Sequence, residues 1–545
     1  LDLATCLEKI RRWIEFCNNH RLCSLPPAPK LPTRVLDVGN PGNQEPVKIY
    51  ETRGNLGRYV TLSHCWGNQH ITTTTKATLA QLKSEVRWSQ LSKTFQEAIS
   101  ITRELGIRYI WIDSFCIIQD DRDDWKTESA RMAEIYSNSY LNLAATGSAN
   151  GDGGCFFNRW TLSRKSRSPV AVHEINHDVG GSSAIIFVRR LLSDAHIHFT
   201  DLEPPSAEEI LNAAPLLSRA WVMQERFLTA RTVHFHSAEL VWECKHSLLC
   251  ECSGVDGHEN GLVQQGNRLK SACGKALAGN MNPNELCDLW FELVTLYSRL
   301  KLTNEPDRLP ALSGLAKSFG NLSRGAYLAG LWESDLPQAL LWQACPSMSG
   351  GARRATPPNS IPTWSWASVQ LCDTDFTGFV TFDTATYLGF EIDCRLRILA
   401  ASCRPVGINP FGDVLGGMIE IRGALLPTIV CHDHSPGQVS SFLISDRTEI
   451  FDTVLVSRED LIVDIPIYES GPGQIHDGET IYCLLIGHTT RDMAREGEPP
   501  ELFSLSLVLK QSARGRGIYE RVGMLQSRQD EEWFGEATES SITII

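Results

Sequence analysis

Two short apolar runs that break off into chemically capable residues constrain this chain more than anything else in it. They are YVTLSHCWG at 59–67 and YIWIDSFCIIQDD at 109–121. Runs of β-branched and aromatic residues of this length read as buried strands. A helical pattern lies between them, so the two strands must run parallel, joined by a crossover. In such sheets ligands bind in the crevice beyond the carboxyl ends of the strands. Ser63, His64, Cys65, Asp113 and Cys116 are therefore expected to face one cleft, with Gly67 as the turn residue closing its edge.

The intervening residues extend the same frame. The spacing predicts a helix opening at Thr94, whose hydroxyl and Glu97 form a capping box. Phe95, Ala98, Ile99, Thr102 and Leu105 make its inner face, and Gly106 ends it. An acidic turn (Asp120, Asp121, Asp123, Asp124) opens the next helix, which carries Trp125, Met132, Ile135 and Tyr136 inward. Tyr140–Ala145 is a third strand, again with a polar tip. Residues 148–215 are in part rich in Gly and Ser (GSANGDGG, GGSS, EPPS) and read as an insertion. A helix capped by Ser218 follows at 216–228, then a strand at 231–236.

A chain of 545 residues exceeds what one core supports. The pattern divides it into an N-terminal helical segment (1–48), an α/β domain (49–258), a mostly helical segment (259–360) and a β-rich domain (361–545). Trp364 and Trp366 alternate in IPTWSWASV and are expected to pack one sheet face.

Hydrophobic residues make up 42% and charged residues 21%, the balance of a water-soluble globular protein. No window nears the roughly 18 consecutive apolar residues of a membrane span. The N-terminal pattern is an amphipathic helix without the apolar core of a signal peptide, so a cytoplasmic location is expected. A net charge of −13 and the lack of a basic face argue against nucleic acid or a membrane surface as partner. Seventeen cysteines, mostly inside strand and helix patterns, read as free thiols of a reducing compartment.

Two cysteine–histidine groupings raise the question of metal. Cys17, His20 and Cys23 share a C-x2-H-x2-C spacing on the first helix, but no fourth ligand is evident, so a packed helix face is expected. Cys244, His246, Cys250 and Cys252, with His234 and His236 upstream, match no common zinc motif. No resident metal or cofactor is expected from either grouping.

The blocks Tyr59–Gly67 and TFQEAISITRELGIRYIWIDSFCIIQDDRDDWKTESARMAEIYSNS (94–139), with SRAWVMQERFLTARTVHFHSAELVWEC (218–244), resemble the heterokaryon-incompatibility (HET) domain of filamentous fungi. DRLPALSGLA (307–316), AYLAGLWE (326–333), PTWSWAS (362–368) and, more loosely, YERVGML (519–525) resemble segments found downstream in its longer members. The resemblance implies a role in non-self recognition and cell death. It also implies a fold distantly similar to the TIR domain, a flavodoxin-like parallel sheet flanked by helices, some of whose members cleave NAD.

In enzymatic TIR domains a Glu follows a Ser and a Trp-Cys pair on one helix, and Ser218, Trp221 and Glu225 fall in that order. Val222 stands where that pattern has Cys, and the insertion separates the third strand from this helix. The resemblance thus makes Glu225, Trp221 and Asp113 the candidate catalytic residues, with Ser63, His64, Cys65, Gly67 and Cys116 binding a nucleotide substrate. NAD is expected as substrate, not cofactor. Trp221 and Glu225, four apart, share a helix face. There the carboxylate can stabilise positive charge on a ribose while the indole stacks or excludes water. Two other readings stay open: a non-catalytic module that associates with itself or an incompatibility partner protein, and an enzyme using Cys65 or Cys116 as nucleophile. Adjacent strand residues point to opposite faces, so His64 is poorly placed as a base for Cys65.

Overall fold

The computed structural model describes residues 3–40, 45–67, 71–157, 172–179, 182–189, 199, 213–252, 268–322, 324–345, 351–354, 361–372, 378–382, 390–407, 409–432, 442–445, 453–456, 461–464, 474–476, 478–491, 501–528 and 537–545. Much of the expected insertion, including EPPS at 203–206, lies outside the described residues. The chain folds as two compact units, Leu1–Asn280 and Met281–Ile545.

Unit 1 is built on a sheet whose strands are β1 (Arg34–Asp37), β2 (Lys48–Glu51), β3 (Tyr59–Ser63), β4 (Tyr109–Trp111), β5 (Leu141–Ala144), β8 (Arg231–Phe235), β9 (Leu240–Cys244) and β10 (Leu248–Cys250). Between β5 and β8, β6 (Val172–Val179) and β7 (Ser182–Arg189) pair only with each other. The strand order of the eight-stranded sheet is β10-β9-β8-β5-β3-β4-β1-β2. Its centre, β4-β3-β5-β8, is parallel, with Thr61 opposite Trp111 and Ser63 opposite Ala144. Both margins are antiparallel, so the sheet is mixed where the sequence predicts a parallel one. At the β8–β9–β10 margin the physical reason is loop length: only a few residues separate β8 from β9 and β9 from β10, enough for a hairpin but not for a crossover.

The helices among the described residues of unit 1 are α1 (Leu3–Cys17), α2 (Leu79–Ser84), α3 (Lys93–Glu104), α4 (Asp113–Cys116), α5 (Arg122–Ser129), α6 (Met132–Ser137), α7 (Ala220–Leu228) and α8 (Arg268–Leu277). β3, β5, β8 and β9 are buried along their whole length. That is why no strict polar–apolar alternation marks them, and why the polar residues they carry, among them Asn142, His234 and Glu243, are buried too. The α3 cap differs from expectation: Ser92 accepts the Phe95 amide, while Thr94 donates to Gly151 O and Glu97 accepts the amides of Cys155 and Phe156. The chain after β5 folds back over the start of α3 and takes both polar groups for itself. The helix expected after the acidic turn is two helices, α5, capped by Asp121, and α6. Ser218 does not cap α7 either. It ends a 3-10 turn, donates to Pro215 O, and leaves Arg219 at the cap position.

Unit 2 begins with α9 (Pro283–Ser298), opened by an Asn282–Glu285 capping box, and α10 (Pro310–Gly320). The remainder is β-rich as expected, dominated by an antiparallel-rich ten-stranded sheet around the long strand Val414–His432. Trp364 and Trp366 do not line a sheet face. They lie in and beside a 3-10 turn, fully buried, where Trp366 Nε1 donates to Gly330 O at 3.1 Å and Trp364 O accepts from Trp342 Nε1 at 2.8 Å. The intervening Ser365 caps that turn, which breaks the alternation a strand would need. Among the described residues no helix is long and apolar enough to cross a membrane.

Candidate functional site

The carboxyl end of β3 delivers Ser63 and His64 to the rim of the sheet, beside the ends of β5 and β4. Ser63 hydrogen bonds Asn142 of β5, its hydroxyl accepting from Nδ2 at 3.0 Å. His64 is buried, its ring edge-on to Phe95 of α3, and its Nε2 lies 2.9 Å from Asp113 Oδ1. Asp113 is the first residue of α4, directly beyond β4. It also accepts from Trp66 Nε1 at 2.9 Å and from the Ser114 amide at 2.7 Å. One carboxylate therefore holds the next backbone amide and orients two rings. Burial pushes Asp113 up, but His64, Trp66 and Arg219 outweigh it and hold the carboxyl below its usual value.

Glu225 reaches the same place from α7. Its side chain is 7% exposed, and its Oε2 has no hydrogen-bond partner among the described residues. Burial pushes its carboxyl up to about 7, helped by the Asp113 charge and opposed by Ser63, Arg219 and Tyr136. The Arg219 guanidinium donates to His64 O at 2.6 Å, bracing the β3 tip against the start of α7. The structure thus brings Ser63, His64, Asp113 and Glu225 together around residues that the sequence does not place at the site: Trp66, Tyr136, Asn142 and Arg219. An arginine between Ser218 and Trp221 was the available signal for the last.

The remaining candidates sit differently. Trp221 is half-buried, its ring edge-on to Trp125 with centroids 6.4 Å apart. Cys65 packs among Ala144, Leu216 and Val222, and burial raises its thiol. His64 turns Nε2 to Asp113 and Nδ1 toward Cys65 O, 3.4 Å away, so neither nitrogen is aimed at the Cys65 thiol. Cys116 is fully buried at the end of α4, its thiol pushed up to about 12 by burial, while its carbonyl accepts from Arg34. Neither thiol is a ready nucleophile at neutral pH. Gly67 has φ +68°, and a Cβ there would lie 2.4 Å from Asn150 Cβ, so the turn after Trp66 requires glycine for backbone reasons alone.

Behind α7 lies a second buried charge cluster. Arg226 chelates Glu243 of β9 at 2.7–2.9 Å, and His234 Nε2 and Lys270 Nζ approach the same carboxylate at 3.3 and 3.4 Å. Burial pulls His234 down to about 4, against the opposing pull of Glu243.

Glu225 and His234 set opposite pH dependences for unit 1. The folded value of Glu225, about 7, is above its unfolded value, so its contribution to stability is complete below about 4.5 and is lost as pH rises through about 7. The folded value of His234, about 4, is below its unfolded 6.5, so its contribution is complete above 6.5 and is lost as pH falls through about 4. Each shift corresponds to about 3 kcal/mol. Calorimetry of the full chain is expected to show little net effect of these two groups between about pH 5 and 7. Glu225→Gln leaves only the histidine and is expected to lose stability on acidification across that window. A variant whose melting temperature tracks wild type at every pH would contradict both assignments.

Metal-ligating side chains gather elsewhere in unit 1, one of them next to Glu243 on β9. Cys17, His20 and Cys23 do have a fourth companion, Cys244. It was hidden because β9 comes from the far end of unit 1. Cys250 and Cys252 group with Glu239 instead of with Cys244 and His246. Most of the described cysteines are buried.

No curated protein and no solved structure matches the chain. Residues 59–225, from the first residue of β3 to the buried glutamate of α7, match the family model described as Heterokaryon incompatibility protein (HET), so this part of the chain is a HET domain.

Proposed function

We propose that the chain acts in fungal non-self recognition and cell-death signalling, and that its HET domain does so by hydrolysing the nicotinamide–ribose bond of NAD in a TIR-like cleft. The observation that carries this reading is Glu225: a buried carboxyl near pKa 7 with an unpartnered oxygen, gathered with Asp113, Ser63, Tyr136 and Arg219 at one sheet rim. The strand order supports it. Taken in chain order, the parallel strands run second-first-third-fourth, the flavodoxin-like pattern. Its ligand crevice opens at the switch between first and third strands, here β3 and β5.

In this mechanism ionised Glu225 faces the ribose and stabilises the oxocarbenium charge that grows as the glycosidic bond breaks. Nicotinamide leaves as the neutral base. Water adds to the ribose carbon and loses a proton, giving ADP-ribose. Asp113 holds His64 and Trp66 in fixed orientation around the nucleotide, and the Trp125–Trp221 pair offers an aromatic wall.

Purified full-length protein incubated with NAD should release nicotinamide, followed by chromatography. Glu225→Gln should slow this by about 10²–10³-fold, the usual cost of removing one preorganised electrostatic group. The wild-type rate should rise with pH and reach half its plateau near 7. Protein that is toxic in cells yet leaves NAD intact would reject the proposal. The near-complete enclosure of Glu225 favours one second reading, a non-catalytic module that assembles with itself or a partner. There Glu225→Gln would leave toxicity unchanged.

A further inference from the structure

The C-x2-H-x2-C segment is the turn by which α1 leaves the sheet. α1 ends at Cys17, and His20 and Cys23 follow on a 3-10 turn closed by His20 N to Cys17 O (2.9 Å) and Cys23 N to His20 O (3.0 Å). A spacing of three around such a turn returns each side chain to the same side. That side faces β9, on which α1 packs with Trp13 6.1 Å from Trp242. Two residues beyond Trp242, Cys244 ends the strand and points its sulfur into the group.

The ligand atoms of Cys17, His20, Cys23 and Cys244 all lie within 4.8 Å of one another. Cys244 Sγ is 3.6 Å from His20 Nδ1. In a tetrahedral site with Zn–S about 2.3 Å and Zn–N about 2.0–2.1 Å, the S···N edge is about 3.6 Å. The surroundings are those of a ligand set, not of a casual thiol cluster. Cys244 Sγ accepts the Ser247 amide at 3.3 Å, the kind of bond that steadies a thiolate. The His20 ring is held between Phe16, edge-on at 4.7 Å, and His246 at 4.2 Å. Arg231 of β8 donates to Asn18 Oδ1 and Cys23 O, shaping the turn independently of any ion. Among the described residues the only other such group, Glu239, Cys250 and Cys252, offers three ligands, and Glu239 already accepts the Cys252 amide at 2.8 Å.

We propose that Cys17, His20, Cys23 and Cys244 form a structural zinc site that fastens the N-terminal helix to the β9 margin of the sheet. Three thiolates and a neutral imidazole fill a closed tetrahedron and leave no open position for catalysis. The bound ion ties the first two dozen residues to a strand far along the chain. Cys244 also adjoins Glu243, which grips Arg226 on the helix that carries Glu225. Zinc would thus steady that helix from behind, whether or not the cleft is catalytic.

The test is metal analysis of the full chain purified without chelator. About one zinc per chain is expected in wild type and in Cys250→Ser/Cys252→Ser, and less than about a tenth of that in Cys17→Ser/Cys244→Ser. Because the last variant can misfold, wild-type protein grown with cobalt provides a second reading. It should show sulfur-to-cobalt charge transfer and the strong visible bands of a tetrahedral thiolate site. Chelation should lower the first melting transition. Wild-type protein that carries no zinc and takes up no cobalt overturns the proposal. So does a disulfide between any two of the three cysteines, or zinc lost only when Cys250 and Cys252 are replaced.

Discussion

Glu243→Gln is expected to destabilise unit 1 by about 3–5 kcal/mol, the cost of breaking a buried charge network from one side. The carboxylate is fully buried and serves three partners, the Arg226 fork, Lys270 Nζ and His234 Nε2. Burial raises its proton affinity, but Arg226, Lys270 and His234 outweigh that and hold it ionised, well below the usual range. Glutamine keeps the shape and removes the charge that faces a half-buried guanidinium and a fully buried ammonium. Burial already lowers the Lys270 ammonium, so the first response of the variant should be loss of that proton. For a unit of this size the shift in melting temperature should be roughly 6–15 °C. The deficit should narrow progressively below about pH 4.5, as the unfolded wild-type glutamate takes a proton, and close only as pH falls through the depressed folded value. Lys270→Met combined with Glu243→Gln should recover part of the loss. A single variant within 1 kcal/mol of wild type at pH 7 would mean that the cluster is solvated and its charges independent.

The same cluster shows where sequence reading succeeds and where it stops. Strands β3, β4 and β5 were legible because burial makes them mostly apolar, and the residues that break each run mark the rim. Ser63, His64 and Asp113 follow from that alone. Cys116 does not: the chain turns into a helix at Asp113, and at its last residue the side chain is buried beside Arg34 instead of at the rim. Glu225 could be named only through a family resemblance, since nothing local separates a buried glutamate from one on a solvated face of AWVMQERFL. Arg219 and Asn142 escaped because their roles exist only across strands and loops. The fourth cysteine escaped for the same reason. A ligand set split between residues 17–23 and 244 has no spacing signature, and Cys244 was naturally grouped with its neighbours in sequence. Local caps were misread at Thr94 and Ser218, where a returning loop and a 3-10 turn took the hydroxyls that a helix would have used.

Asp464→Asn should produce a comparable loss in unit 2, about 3–5 kcal/mol, because one buried carboxylate there answers two guanidinium groups. Arg521 is fully buried, its guanidinium 3.4 Å from the Trp342 ring centroid. It donates to Leu340 O at 3.2 Å, to Trp342 O at 2.5 Å and to Asp464 Oδ1 at 3.1 Å. Arg354 donates to Asp464 Oδ2 at 3.2 Å, to Ser368 Oγ at 2.8 Å and to Arg521 O. Burial draws Arg521 down to about 10, with Asp464 resisting and Arg354 adding to the pull. Even so it stays charged at neutral pH, so an asparagine would leave two like charges facing each other with carbonyls and one ring face as compensation. Removing one of the two cations should then help: Arg354→Met in the Asp464→Asn background is expected to be more stable than Asp464→Asn alone, although Arg354→Met by itself is destabilising. Denaturant titration of the four proteins gives the coupling directly. If the double variant is instead as unstable as the sum of the singles, the arginines do not repel through the space that Asp464 fills, and the carbonyl cage around Arg521 carries the charge by itself.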